Sequence, residues 1–238
     1  MTAEPAVYEE HVGASRQYWR DIVLGINDGL VSMLLLVVGV VGGGLNREQI
    51  ILTGVAGALA GAVSMAAGEY LATKSQDEVM ESELALERTH IKHFRQQEVD
   101  QLYPMLREVG VDESDIDTVV QALTRNDDVL LNSMKVLEFG VVDTERRSPL
   151  SAAWTSGGLF LAGSVPAVAP FLFPISRSAG ILVAVALAGI SLFTVGVVKT
   201  FVTRTNPVLA GFQNLLIAGL GALAAFGVGR LLGVSILS

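Results

Sequence analysis

The sequence predicts an all-α polytopic membrane protein with five transmembrane helices and a helical cytoplasmic insert between helices 2 and 3. Three observations carry that reading. The 238-residue chain is 51% hydrophobic and only 17% charged, with a mean hydropathy of +0.52, too apolar for one water-soluble domain of this size. Residues 29–46, 49–68, 148–176, 178–198 and 205–229 contain no Asp, Glu, Lys or Arg, and roughly 20 such residues cross a bilayer as a helix. Charge instead gathers in one segment, about Leu71 to Arg147. Unbroken apolar runs disfavour a transmembrane β-barrel, whose strands alternate apolar and polar residues. A net charge of -8 and the lack of a long basic run fit neither disorder nor nucleic-acid binding. With no cysteine, disulfides, thiolate zinc sites and iron–sulfur clusters are excluded.

The organisation follows in chain order. Residues 1–19 form an N-terminal cytoplasmic tail, 20–71 transmembrane helices 1 and 2, 72–147 the insert, and 148–238 transmembrane helices 3 to 5. The helices themselves are expected at about 20–45, 49–71, 149–172, 178–200 and 207–233. Met1–Arg20 has no apolar stretch or small-residue cleavage site and does not resemble a secretory signal. Placing the N-terminus in the cytoplasm leaves only Arg47, Arg177 and Arg230 on the far side, as the excess of Lys and Arg in cytoplasmic loops requires. Five crossings then put the C-terminus opposite. The type of membrane, cell envelope or organelle, is not encoded.

Neither Pro nor Gly interrupts Glu69 to Tyr103, so helix 2 is expected to run unbroken into the cytoplasm. A kink is expected at Pro104 and a C-terminal cap at Gly110. Asp112 or Ser114 should cap a second helix carrying Ile116, Val119, Val120 and Leu123, and a third should span about Asp128 to Phe139.

Asp28 lies eight residues past Arg20, about 12 Å further along a helix. A carboxylate at the bilayer centre costs roughly 2.5–3.5 kcal/mol, so by default it marks a functional site facing the bundle interior. The plainer alternative is that Asn27-Asp28-Gly29 forms an interfacial turn at the helix start. On helix 1, Asp28, Ser32, Gly39 and Gly43 share one face; on helix 2, Gly54, Gly57, Gly61, Ser64 and Gly68 do, with Met65 and Glu69 along its edge. The GxxxG steps at Gly39/Gly43, Gly57/Gly61 and Gly229/Gly233 are read as close helix packing. Because helix 2 descends where helix 1 ascends, Met65 reaches the depth of Asp28. Asp28, Met65 and Glu69 together suit a borderline divalent transition ion better than Na⁺ or Ca²⁺, since thioether sulfur is soft.

In the insert, Glu83, Glu87 and His90 follow i, i+4, i+7 spacing and project from one helix face. Glu87-Arg-Thr-His90 is a Glu-x-x-His step, the spacing by which helical carboxylate proteins present two ligands to iron or manganese. Solvated Glu-rich helices also show this spacing. Glu98, Met134 and Glu138 become additional ligands if the insert folds back on itself.

Gly25-Ile-Asn-Asp-Gly-Leu-Val-Ser32 in helix 1, Ser64-Met-Ala-Ala-Gly-Glu-Tyr-Leu71 with Lys74-Ser-Gln76 in helix 2, and the Glu-rich insert resemble the vacuolar iron transporter family. The resemblance covers nearly the whole chain, including Asn206-Pro207 at the start of the last helix. It implies a homodimer exchanging Fe²⁺ for protons, with a path between subunits lined by Asp28 and Met65 and an insert that binds metal. Glu87, Glu98, Met134 and Glu138 match the family's insert ligands. Three positions depart from that pattern: His90 and Gln101 replace glutamates, and Lys135 replaces a methionine.

The expected function is therefore proton-coupled export of divalent metal from the cytoplasm, Fe²⁺ first and Mn²⁺ second. Metal is the substrate, and no permanently bound cofactor is expected. Asp28 would hold a proton or the ion in turn, which couples the two fluxes. The alternative is a membrane-anchored metal sensor or store, with the insert as its binding module. An enzyme is not expected, because no His/Ser or Cys/His constellation lies in the helices and His11, His90 and His93 all fall outside them.

Overall fold

A computed structural model describes residues 16–140 and 147–237. Most of the expected N-terminal tail, including His11, lies outside the described residues. Helices α1 (Arg16–Gly42), α2 (Arg47–Glu108), α3 (Ile116–Leu123), α4 (Asp127–Leu137), α5 (Pro149–Val168), α6 (Arg177–Val198), α7 (Thr200–Thr203) and α8 (Pro207–Leu237) follow in order. A 3₁₀ turn at Ala169–Leu172 extends α5, and there is no strand among the described residues. Among the described residues five helices, α1, α2, α5, α6 and α8, are long and apolar enough to cross a membrane. Helices suit that solvent because they satisfy every backbone N–H and C=O internally. The fold is thus all-α and polytopic, as the charge-free runs predict.

The chain divides into two compact units. One gathers the residues up to Tyr70 and from Pro149 onward; the other is Leu71–Ser148. In the first, α1 packs against α5, α6 and α8, and its core is built from Leu30, Met33, Val37, Ala62, Phe160, Phe171, Ala188 and Leu192. The small residues explain how apolar helices associate where lipid is equally apolar: they let backbones approach until dispersion contacts dominate. The GxxxG steps of α1 and α8 pair with one another. A Cβ at Gly229 would collide with the Gly39 carbonyl, and one at Gly233 with the Gly43 carbonyl.

At one end of this bundle two arginines tie off loose backbone. Arg177 Nη2 donates to the Val41 carbonyl at 3.2 Å, and Arg47 Nε donates to the Phe171 carbonyl at 2.9 Å. Each places a cation on carbonyls at a helix end, where the negative end of the helix dipole lies and intrahelical partners run out.

In the second unit the structure corrects the expectation of an unbroken helix 2. Its backbone leaves the helical region at Phe94 (φ -131°, ψ 30°) and passes through Pro104 without a break. The cause is tertiary. Arg95 Nη2 donates to the Thr124 carbonyl at the end of α3 (2.6 Å), and its Nε donates to Asp127 at the start of α4 (3.1 Å). Ile91 before the break packs with Leu102, Leu106, Ile116, Val120, Leu130 and Met134, an apolar core that a straight helix could not close. The cap expected from Asp112 or Ser114 is also corrected. Asp115 holds the N-cap position of α3 without a side-chain bond, while the Asp112 carbonyl accepts from the Asp115 and Ile116 N–H groups. Gly110 takes a positive φ (+89°) after α2, the left-handed cap that only glycine adopts at no cost.

Candidate metal sites

The membrane groove is built from α1, α2 and α5. The backbone of α1 is continuous helix through Asn27-Asp28-Gly29, so the interfacial-turn reading of Asp28 fails. Asp28 lies three turns from the helix start, and its Oδ1 accepts a hydrogen bond from Ser32 Oγ at 2.9 Å. Those two side chains, with Met33, Gly61, Ser64 and Met65, line an open cavity of about 450 Å³. The glycine of α2 that faces Phe160 of α5, Gly61, leaves no side chain to fill the space. Asp28 and Met65 are half-buried and Ser64 is exposed, so the groove offers a carboxylate, a thioether and two hydroxyls to one opening. Hard and soft donors together match a borderline divalent ion.

Glu69 is placed differently. It stands one turn beyond Met65 on α2, 3.6 Å from Arg20 Nη2, and Arg20 also lies 3.2 Å from the buried Asp21. The Arg20 bridge between α1 and α2 was missed by sequence reasoning, because it depends on how the two helices are registered.

The insert carries a second cluster. Ligand atoms of Glu87, His90 and Glu98 lie within 4.8 Å of one another, and His90 Nδ1 is 3.3 Å from Glu98 Oε1. On a straight helix Glu87 and Glu98, eleven positions apart, would lie about 16 Å from one another along the axis. The break at Phe94 therefore creates this cluster by turning Glu98 back. Glu87 and Glu98 are only 4% and 3% exposed. Glu87 Oε1 is buried with no hydrogen-bond partner among the described residues, an arrangement that is costly unless a cation or proton arrives. Burial, then the charges of Glu98 and Glu138, push the Glu87 carboxyl up to about 7. Glu138 is raised too, by burial and then by Glu98 and Glu83. Glu83 and Glu138, both exposed, thus contribute field around the cluster. Met134 is fully buried in the apolar core of the insert, and Lys135 is 9% exposed.

Fold and groove together define a five-span helical membrane protein with a carboxylate and a thioether facing one intramembrane opening. Residues 19–230 match the VIT family model, and the chain belongs to that family. It is 29% identical over 224 residues to vacuolar iron transporter 1 of Tulipa gesneriana, covering 94% of this chain and 90% of that protein. It is 30% identical to the vacuolar iron transporter of Centaurea cyanus, covering 94% and 91%, and 28% identical to vacuolar iron transporter 1 of Arabidopsis thaliana, covering 92% and 87%.

Proposed function

We propose that this protein is a proton-coupled antiporter that exports a divalent transition metal from the cytoplasm, Fe²⁺ first and Mn²⁺ second. The observation that carries the reading is the pairing of Asp28 with Met65 in one groove, and the iron comes from the names of its relatives. Asp28 binds a proton or a cation but not both, since each displaces the other, and that exclusion couples the fluxes. Ser32 holds the carboxylate toward the groove. Met65 favours borderline ions over Ca²⁺ and Mg²⁺. Glu69 joins the path as a ligand once Arg20 releases it.

The N-terminus and the insert are assigned to the cytoplasm on the distribution of Lys and Arg, and the C-terminus to the opposite side. A homodimer completes the path. Ser64 is exposed and nothing lies within 4 Å of a Cβ placed on Gly68, so in a single copy this polar face would meet lipid, which a second copy prevents. Glu87, His90 and Glu98, in the field of Glu83 and Glu138, collect metal on the cytoplasmic side. The sensor or store reading has less support, because an inert anchor has no use for Asp28 beside Met65.

Counterflow in proteoliposomes with Fe²⁺, Mn²⁺, Zn²⁺ and Co²⁺ under an imposed pH gradient tests the proposal. Gradient-driven uptake strongest for Fe²⁺ supports it. Metal binding without flux would favour the sensor.

A further inference from the structure

A second cavity, of about 500 Å³, opens where α1 begins and α6 ends, and Trp19, Arg20, Asn27, Lys199, Thr203 and Asn214 line it. Among the described residues that line it, two are cations and none is an acid. Arg20 is balanced by Asp21 and Glu69, 3.2 and 3.6 Å from its Nη2. Lys199 is half-buried, and its ammonium has no hydrogen-bond or ionic partner among the described residues. At the floor, Asn214 Nδ2 donates to Asn27 Oδ1 and to the Leu192 carbonyl, both at 3.3 Å. The Asn27 amide nitrogen is left without an acceptor among the described residues. The remaining wall is apolar, formed by Val23, Leu24 and Val202.

Lys199 caps the end of α6, and an ammonium half-buried there without an ionic partner gains from a counter-charge. The cavity therefore suits one unit of negative charge, an acceptor oxygen near Asn27, and hydrocarbon along Val23, Leu24 and Val202. Basic pockets between transmembrane helices meet that demand with lipid headgroups, and tryptophan favours the headgroup level of a membrane interface. We propose that this cavity binds an anionic phospholipid, its phosphodiester at Lys199 and Asn27 and an acyl chain along the apolar wall beside Trp19. A free phosphate would leave that wall wet. A choline headgroup would bring a third cation toward Arg20 and Lys199. The proposal is independent of the transported ion.

Trp19 itself reports the site. The chain has two tryptophans, and the other, Trp154, is 80% exposed, so full-length Trp154→Phe retains Trp19 as the single emitter. In phosphatidylcholine vesicles, a minor fraction of brominated phosphatidylglycerol should quench Trp19 about fivefold more effectively than the same fraction of brominated phosphatidylcholine. Lys199→Gln should abolish that preference and Lys199→Arg should keep it. Inorganic phosphate and glycerol 3-phosphate should not relieve the quenching; relief by either would assign the cavity to a free anion and overturn the lipid. Equal quenching by both lipids, or a preference that survives Lys199→Gln, would also overturn it. If Lys199→Gln fails to insert, the preference of the parent and of Lys199→Arg decides the matter.

Discussion

Glu87 gives the sharpest quantitative prediction. Its carboxyl titrates near pH 7 when folded against 4.5 for an ordinary glutamate, because burial and the nearby Glu98 and Glu138 disfavour its charge. At 1.36 kcal/mol per decade, deprotonating it costs the metal-free fold at most roughly 3 kcal/mol. Since the folded form binds the proton more tightly than the unfolded form, stability rises as pH falls through 7 toward 4.5 and is lost as pH climbs back. Glu138 shifts in the same direction. Metal inverts this dependence, because the ion needs the deprotonated carboxylate and binds only the folded cluster. Thermal melts of the insert, residues 71–148, should therefore show a metal-free midpoint that falls between about pH 5 and pH 8. In excess Mn²⁺ or Zn²⁺ the midpoint should instead rise. Glu87→Gln should flatten the metal-free profile, raise the midpoint at the alkaline end by up to roughly 10–20 °C, and lose most of the metal-induced shift. A flat metal-free profile in the parent, or a Glu87→Gln insert less stable at alkaline pH, would show that Glu87 is not buried as a protonated acid.

Other perturbations probe separate links. Arg95→Ala removes both contacts that hold the break at Phe94 and should weaken metal binding by the insert at least tenfold while helicity by circular dichroism stays near that of the parent; unchanged affinity by calorimetry would deny the break its role. Gly229→Leu forces a side chain against the Gly39 carbonyl and should destabilise the α1–α8 contact by several kcal/mol, read as a lower melting midpoint in detergent. Met65→Ala should shift preference away from soft ions; identical ratios among Fe²⁺, Zn²⁺ and Mn²⁺ flux would return Met65 to simple packing.

The five spans were legible because hydrocarbon tolerates so few charges that their absence from a run is diagnostic. Paired glycines were legible as packing, but that Gly39 meets Gly229 was not, because a GxxxG step does not name its partner. Asp28 and Met65 could be brought to one depth by counting residues along two antiparallel helices. The insert was harder. Pro104 was the obvious candidate for a kink, yet a helix survives the loss of one hydrogen bond there, whereas the real break at Phe94 contains neither Pro nor Gly. It is held by Arg95 reaching residues some thirty positions later, an interaction without local signature. The Glu87/His90 spacing was therefore visible from helical geometry, and the approach of Glu98 was not. The Arg20 bridge to Glu69 and the Asn27–Asn214 bond share that cause: each joins two helices whose relative rotation no single segment encodes.

Gradient-driven Fe²⁺ flux in Asp28→Asn proteoliposomes tests whether Asp28 couples metal to protons. Removing a charge from the membrane interior should leave folding and insertion intact, and asparagine can still accept the hydrogen bond from Ser32. Parent flux should rise with the imposed pH gradient, whereas Asp28→Asn should carry Fe²⁺ slowly and at a rate independent of that gradient. Flux through Asp28→Asn at the parent rate, with the parent's dependence on pH, would remove Asp28 from the coupling.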